Sequence, residues 1–453
     1  MITALGFMLF NIVSYFLAYR NGPFWGLFAY MNIYFNVPND RINWWASYLP
    51  FDRWSLLTTF VLITSLVLHR DKLSQHKFGN ARWVFIFLAL SAIITYTSAI
   101  DPNNAKAFLS KLISYAIFVY ILIKSIKHAS QLRLILIAIV AMSANVSLNA
   151  YLYGKRINAR LEGVGSADAN GANLFALLLA GIIPIIFVFI KEGKTYERII
   201  AILSLPLVLN AFVLCNSRGS TVALAGGIFV AVMLVADNKI RRGVIALGII
   251  VAPVFLHLTD DEFISRFTTL FEVSSALEDS TQARNLSSGR TEIWDYGMQM
   301  ANDHPLGVGP NGFKKLARFY MPKEVLTFLP GAEHGQRAAH NTYLQVIVEQ
   351  GILGIIVWLA LCLHTSWFLY KSFKLVSTLK ERKPFLRLSI FALNVAFFTN
   401  LIGALVTSRI YYEFFWWQIA FAAIVYSLSQ QMIEDEAKES EALSSQPPQN
   451  NYA

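Results

Sequence analysis

The stretch Ala172–Ile190, ANLFALLLAGIIPIIFVFI, contains no charged residue. A helix of this length can cross the ~30 Å hydrocarbon core of a bilayer. Apolar runs of similar length recur along all 453 residues, and the chain is 55% hydrophobic but only 15% charged. A soluble protein carries about a quarter charged residues. The sequence therefore predicts an all-α fold, that of a polytopic helical membrane protein.

The apolar runs predict about 12–13 transmembrane helices. The second run follows an Arg20-Asn21-Gly22-Pro23 turn and is short, so it fits a re-entrant segment as well as a full span. The predicted spans lie near residues 3–19, 24–37, 54–68, 83–100, 108–123, 134–152, 172–190, 199–214, 221–236, 244–258, 343–370, 388–406 and 411–428.

Four regions follow from these spans. Residues 1–258 form an N-terminal bundle of transmembrane helices, and residues 259–342 form one large, partly helical loop. Residues 343–430 form the C-terminal transmembrane helices. The tail over residues 431–453 is acidic and rich in Ser, Pro and Gln, a composition typical of disorder. The chain has only two cysteines, and their separation argues against a disulfide framework or a zinc site.

Lysine and arginine concentrate in alternate loops. The positive-inside rule places such loops, and the tail, in the cytoplasm. The net charge of +10 is explained by these loops, and we expect no nucleic-acid partner. The large loop and the short 153–171, 215–220 and 407–410 segments then lie on the outer face. The basic loops contain Arg70, Lys72, Lys77 and Arg82; Lys124, Lys127 and Arg133; Lys191, Lys194 and Arg198; Lys239, Arg241 and Arg242; and Lys371, Lys374, Lys380, Arg382, Lys383 and Arg387.

Three arginines on the outer face run against this rule. Arg160 and Arg218 lie in short loops, and Arg290 lies in the large loop. Ionisable groups close to the membrane are costly and by default suggest a function. The planar guanidinium group binds phosphate oxygens in a bidentate manner. These residues therefore predict a site for a phosphate-bearing substrate at the outer leaflet.

The stretch Ala338-Ala339-His340-Asn341-Thr342-Tyr343-Leu344 ends the large loop and begins a long apolar helix that contains Glu349. The imidazole of His340 can exchange a proton near neutral pH. At the mouth of a membrane cavity, such a group suits chemistry on a lipid-linked substrate.

Each candidate also has a structural interpretation when it is considered alone. Arg218 can snorkel or cap a helix, and Arg160 and Arg290 can pair with the nearby Glu162 and Glu292. His340 can make a structural hydrogen bond, and His304, which precedes Pro305, can be a turn residue. Glu349 near Gly351 and Gly354 can belong to a helix contact. Their placement together on one face favours a functional site.

Five motifs in order make the sequence similar to a known family, the O-antigen ligase and polymerase superfamily. The resemblance is strongest from about residue 160 to residue 354. Over the first 150 or so residues it rests on the helix pattern only. The motifs are Arg160-Leu-Glu-Gly with Asn170 and Asn173, Ser217-Arg218-Gly219, Ser288-Gly289-Arg290-Thr-Glu-Ile-Trp294, His304-Pro-Leu-Gly-Val-Gly309, and His340-Asn341-x-x-Leu344 with Glu349-x-Gly351.

The resemblance implies an integral-membrane glycosyltransferase of the bacterial inner membrane. Such enzymes take a glycan from undecaprenyl diphosphate on the periplasmic face, with inversion and without a metal or other cofactor. Ligases transfer the glycan to a sugar of the lipid A core, and this is the acceptor we expect. Polymerases use another carrier-linked glycan, and protein ligases use a Ser, Thr or Tyr hydroxyl.

These enzymes suggest roles for the residues of this chain. Arg218 and Arg290 are catalytic in this hypothesis because they stabilise the leaving diphosphate, with Arg160 as a further diphosphate contact. His340 is catalytic because it binds or deprotonates the acceptor hydroxyl. Asn341 orients the imidazole or a substrate group. His304 and Glu349 complete the predicted substrate-binding residues, and no metal ligands are predicted.

The alternative that is not an enzyme is a polysaccharide transporter. Transporters often contain internal repeats and a midplane site that is reachable from both sides. This sequence has no evident repeat, and its polar candidates lie on one face. These features favour the enzyme.

Overall fold

A computed structural model describes residues 2–39, 43–157, 160–163, 165–234, 237–246, 248, 290–328, 334–379 and 383–444. Nearly all regular structure in these ranges is helical, and the two strands form one antiparallel hairpin in which Arg156 pairs with Leu161. The strands are β1 (Lys155–Ile157) and β2 (Arg160–Glu162). The all-α polytopic fold predicted from the sequence is confirmed.

Fourteen helices are defined within the described ranges, and residues 238–246 are helical as well. They are α1 (Ile2–Asn21), α2 (Gly26–Phe35), α3 (Trp54–Leu68), α4 (Arg82–Thr97), α5 (Pro102–Ser125), α6 (Ala129–Tyr153), α7 (Ala172–Glu192), α8 (Thr195–Leu214), α9 (Arg218–Leu234), α10 (Arg290–Asp303), α11 (Gly312–Tyr320), α12 (Thr342–Thr378), α13 (Pro384–Gly403) and α14 (Glu413–Ser444). Short 3-10 helices cover Pro23–Trp25, Trp44–Tyr48, Arg70–Lys72 and Gly79–Ala81.

Eight helices in the described part of the chain are long and apolar enough to cross a membrane. They are α1, α4 with the turn before it, α5, α6, α7, α8, α12 and α13. Helices α3 and α9 are also apolar but have 15 and 17 residues. The predicted span at 244–258 lies largely outside the described residues.

The second predicted span corresponds to α2, which has only ten residues. At 1.5 Å per residue it covers about 15 Å, roughly half of a hydrocarbon core. A 3-10 turn precedes it, and most of its side chains are buried where it packs against α1, α3 and α6. This geometry fits the re-entrant interpretation of the segment.

The tail differs from its prediction. Residues 431–444 were expected to be disordered, but they form the last turns of α14. A helix that has already formed inside the bundle can extend without a new nucleation cost. The residues that continue it are good helix formers, with Glu434 four positions before Lys438, a favourable spacing. Residues 445–453 lie outside the described part of the chain.

Helices α7 and α13 lie at the centre of the bundle, and both are mostly buried. Helix α13 packs against α7, α9, α12 and α14, while α12 also packs against α4. The core between these helices is largely apolar. In a bilayer, helices associate through such close packing and through interhelical hydrogen bonds.

Loops that belong to the predicted basic set meet at one end of the bundle. The Lys124 Nζ donates to the backbone oxygens of Ser74 and His76, at 3.3 and 3.1 Å. Arg133, at the start of α6, forms a salt bridge with the buried Glu197 of α8. We call this the basic end.

The opposite end carries the described part of the large loop. Helices α10 and α11 pack over the first turns of α12 with a small core of their own, which includes Ile293, Phe313 and Leu344. The loop is therefore a folded cap, and we call this end the cap end.

A break in α12 fixes the position of the cap. Gly351 has φ 68° and ψ −170° within the 37-residue helix, so the backbone there leaves the helical path. The 305–309 segment fills the gap and hydrogen-bonds to the interrupted helix. The bonds are Val308 N to Val348 O at 3.1 Å, Gly309 N to Glu349 O at 3.0 Å, and Ile352 N to Pro305 O at 2.9 Å.

Candidate functional site

A cavity of about 370 Å³ opens at the cap end. It lies where the loop after β2, the start of α7, the start of α11, the segment before α12 and the segment before α14 meet. Polar and charged side chains line much of it. Those used below are Glu162, Asp168, Asn173, Lys314, His340 and Tyr412.

Arg160 stands beside this cavity at the start of β2. Its Nη2 donates to Asn173 Oδ1 at 2.6 Å, and its Nε donates to the Cys215 carbonyl at 3.3 Å. Ser217 Oγ donates to the same oxygen of Asn173 at 2.9 Å. The hairpin, the start of α7 and the turn before α9 are thus joined around one guanidinium group.

Arg218 and Arg290 are the first residues of α9 and α10. Burial lowers the pKa of Arg290, and the charges of Arg218 and Arg160 lower it further. The three arginines predicted from the sequence are therefore neighbours in space. Like charges gathered in a half-buried place repel each other, and an anion would relieve that repulsion.

His340 lines the cavity and is half-buried. Its φ of 49° turns the chain sharply before α12. Burial lowers its pKa to about 4, and the positive charges of Arg290, Arg337 and Lys314 act in the same direction. The imidazole is therefore neutral at pH 7, with one ring nitrogen able to accept and the other able to donate a hydrogen bond.

Asn341 and Thr342 hold this turn in place. Asn341 is the N-cap of α12, and its Oδ1 accepts from Leu344 N at 3.1 Å. Thr342 Oγ1 donates to the Thr407 carbonyl at 2.7 Å and accepts from Arg409 N at 3.0 Å. Both side chains position His340 by fixing the helix that follows it.

Glu349 lies behind the wall of the cavity and is not among its lining residues. Its Oε2 accepts from Asn311 N at 2.9 Å and from the Tyr411 hydroxyl at 2.7 Å, and its Oε1 accepts from Gln345 Nε2 at 3.0 Å. The carboxylate is fully buried. This placement does not fit the predicted substrate contact and instead gives Glu349 a positioning role between α12, the start of α11 and the segment before α14.

His304 also lies away from the cavity lining. It follows α10, and its Nε2 is 3.4 Å from the hydroxyl of Tyr320. The placement fits the turn-residue interpretation better than the predicted substrate contact.

Three charged residues at this site were missed by the sequence analysis. Lys314 of α11 and Asp168 of the 163–171 loop line the cavity. Arg409 is only 1% exposed, and within the described part of the chain its three guanidinium nitrogens have no hydrogen-bond partner. Its guanidinium carbon lies 3.9 Å from the centre of the Tyr412 ring. Arg409 lies in an outer turn of the predicted topology, so the argument applied to Arg218 could have found it.

Comparison with known proteins agrees with the resemblance. Residues 202–359 match the model of a family described as O-antigen ligase, and the match includes Arg218, Arg290 and His340. The chain is also 24% identical over 332 residues to the exopolysaccharide production protein ExoQ of Rhizobium meliloti (strain 1021), covering 70% of this chain and 72% of that protein. Both matches support membership of the chain in the O-antigen ligase and polymerase superfamily, a family of glycosyltransferase-like ligases and polymerases.

Proposed function

We propose that the protein transfers a glycan from undecaprenyl diphosphate to an acceptor hydroxyl at the periplasmic face of the inner membrane. The observation that carries this proposal is the grouping of Arg160, Arg218 and Arg290 beside His340 at the cap-end cavity. A cationic cluster next to a neutral proton acceptor suits a reaction whose leaving group is a diphosphate.

The arginines act on the leaving group. Breaking the anomeric C–O bond leaves negative charge on the diphosphate, and fixed cations in a site with little water stabilise that charge. Arg218 and Arg290 are assigned to this step, and Arg160 holds a further diphosphate oxygen. Lys314 adds a positive charge on the cavity wall.

His340 acts on the acceptor. A neutral imidazole binds or deprotonates the hydroxyl that attacks the anomeric carbon. A general base in this position contributes typically 10²–10⁴-fold to the rate.

The lipid carrier fits an apolar groove beside the site. The groove has a volume of about 420 Å³, and Asn341, the cap of α12, contributes to its wall. An undecaprenyl chain is a flexible hydrocarbon, and the groove supports a donor that enters from the membrane. The lining residues are Trp294, Met298, Asn341, Tyr343, Leu344, Ile347, Ile355 and Leu405.

Lipid A core sugar is the proposed acceptor, because the matching family model describes O-antigen ligases. A second candidate is polymerisation, in which the acceptor is another carrier-linked glycan. The similarity to an exopolysaccharide production protein favours this candidate. In either reaction the donor and the roles of the arginines are the same.

The test is the replacement His340→Ala in a strain that lacks the chromosomal gene. We expect the variant to insert in the membrane but to leave the carrier-linked glycan unused. His334→Ala is the control, because this exposed histidine lies in the same loop. Normal glycan products from His340→Ala would contradict the proposed role.

The products that accumulate in the null strain separate the two acceptors. Long carrier-linked polymer together with undecorated lipid A indicates a missing ligase. Carrier-linked single repeats indicate a missing polymerase. Gel and mass analysis of both lipid fractions gives the answer.

A further inference from the structure

Asp168 presents a carboxylate to the same cavity as His340. Its Oδ1 accepts from the Tyr34 hydroxyl at 2.8 Å, and its Oδ2 accepts from the backbone N–H of Glu413. The loop that carries it is tied to α2 by a hydrogen bond from Ala167 N to Tyr34 O at 3.0 Å. Asp168 is therefore held in a fixed position by α2 and by the start of α14.

Acidic and basic groups both surround this carboxylate. Burial raises the pKa of Asp168 to about 6, while the two hydrogen bonds and the charge of Arg409 oppose the rise. Arg409 is the cation near this carboxylate, and the buried Glu413 is a second acid beside it. The titratable or charged groups that face Asp168 are Tyr30 and Tyr34 of α2, Tyr115 of α5, Arg409 and Tyr412 of the segment before α14, and Glu413 of α14.

Asp168 and His340 both line the cavity and can accept a proton, but protonation changes the charge around them in different ways. A proton on His340 creates a cation among Arg290, Arg337 and Lys314. A proton on Asp168 neutralises a carboxylate whose pKa is raised mainly by burial. The first change creates a partly buried cation beside like charges, and the second removes a charge from a partly buried place. Of these two groups, Asp168 is therefore the one whose surroundings favour the protonated form.

We propose that Asp168 is the general base that takes the proton from the acceptor hydroxyl, and that His340 binds a substrate oxygen by a hydrogen bond. This inference rests on the proposed glycan transfer. The acceptor oxygen forms its bond to the anomeric carbon as its proton moves to the Asp168 carboxylate. The anomeric C–O bond breaks, and its electron pair leaves with undecaprenyl diphosphate. The proton later returns to water from Asp168.

The test measures the pH dependence of kcat for the purified full-length protein in proteoliposomes. The donor is the carrier-linked glycan extracted from the null strain of the source organism, and the acceptor is its undecorated lipid A or carrier-linked glycan. We expect the pH profile of wild-type kcat to have an acid limb. In this limb kcat falls about tenfold per pH unit below about pH 6, the pKa of Asp168. Asp168→Asn should lower kcat by about 10²-fold or more and remove this limb, with the KM for the donor little changed.

Tyr34→Phe gives an independent measurement if Asp168→Asn does not fold. It removes a hydrogen bond that stabilises the Asp168 carboxylate, so the pKa of Asp168 rises. The acid limb should then move upward by about half a pH unit or more. Glu162→Gln is the control, because this second carboxylate of the cavity caps α7 by accepting from Ala172 N. It should leave the limb in place.

Several outcomes overturn the assignment. They are an Asp168→Asn kcat within about twofold of wild type, a limb that persists in Asp168→Asn but vanishes in His340→Gln, and a limb that Tyr34→Phe leaves unmoved. A limb that moves equally in Glu162→Gln also overturns it, because the shift then reflects cavity charge in general. Absence of transfer by the wild-type protein at every pH rejects the proposed function itself.

Discussion

The arginines at the cap end are close enough to repel one another, and each of them is only partly exposed. A group of three neighbouring arginines suggests an anionic ligand, because a bound anion relieves the repulsion between them. Residues whose pKa is shifted by burial and by neighbouring charges cluster at functional sites, because the chemistry there needs particular charges and pKa values. The site is therefore expected to gain stability when a diphosphate binds.

Lysine replacements test whether the guanidinium fork matters as well as its charge. Arg218→Lys and Arg290→Lys keep the positive charge but lose bidentate binding. Loss of one charge-assisted hydrogen bond costs about 1.5–3 kcal/mol, so we expect glycan transfer to fall roughly ten- to a hundredfold. Product formation per amount of membrane protein is the measurement.

The control for these variants is Arg198→Lys. Arg198 is exposed at the basic end, where its Nε donates to the carbonyl of Ile190 at 3.0 Å. This replacement should leave transfer unchanged. Full activity in both Arg218→Lys and Arg290→Lys would refute bidentate binding of the diphosphate.

Residue types and their order along the chain predicted part of this site. The outer arginines stood out because the positive-inside rule disfavours charge there, and His340 stood out because a titratable imidazole lies at the start of a long apolar helix. Spacing could not show which way a side chain points, so His304 and Glu349 were assigned to the substrate although they lie behind or beside the cavity. Lys314 and Asp168 were missed because their own segments contain no unusual pattern. Only the fold brings them to His340.

Among the elements, α12 has the feature that the sequence analysis interpreted least. Gly351 was considered as a small residue in a helix contact, but it breaks the helix and receives the 305–309 segment. The break leaves backbone groups without helical partners, and such groups need other partners when they are buried. The cap provides these partners.

Gly351→Ala tests this role of the break. A Cβ at this position would lie 2.5 Å from Leu306 C and from Pro305 O, and the positive φ adds strain. Backbone strain alone costs about 1–3 kcal/mol. We expect a lower Tm in detergent and strongly reduced transfer, because displacement of the 305–309 segment also moves Asn311 and Lys314.

The matched control is Gly6→Ala in α1. A Cβ there meets no atom within 4 Å, and alanine is the better helix former. Thermal unfolding followed by tryptophan fluorescence, together with transfer activity, should be unaffected in this variant. A wild-type Tm and wild-type activity in Gly351→Ala would show that the close approach of Gly351 to the 305–309 segment is not needed.

The sequence predicted the helices well and their ends less well. Apolar length identifies a membrane helix whether or not the helix continues beyond the membrane. Helix α14 extends to Ser444 through polar residues, whose composition alone suggested disorder. Helix α2 covers only ten residues of the short 24–37 run, the one run for which the sequence left the re-entrant alternative open.

At the scale of the whole molecule, the two sets of loops lie at opposite ends of the bundle. The basic end is joined by contacts such as that of Lys124 with His76, and the cap end by contacts such as that of Ile100 N with Val308 O at 3.1 Å. The separation that charge predicted is therefore present in the fold. From the positive-inside rule we propose that the cap end and its cavity face away from the cytoplasm.

Labelling of one introduced cysteine at a time in spheroplasts tests this orientation. The native Cys215 and Cys362 are buried, so they should give little background. Lys323→Cys lies on an exposed part of the cap, and Gln75→Cys lies on an exposed loop of the basic end. We expect a membrane-impermeant maleimide to label Lys323→Cys in intact spheroplasts and to label Gln75→Cys only after lysis, because the bilayer separates the two ends. The reverse pattern would place the cavity in the cytoplasm, where the proposed transfer at the periplasmic face could not occur.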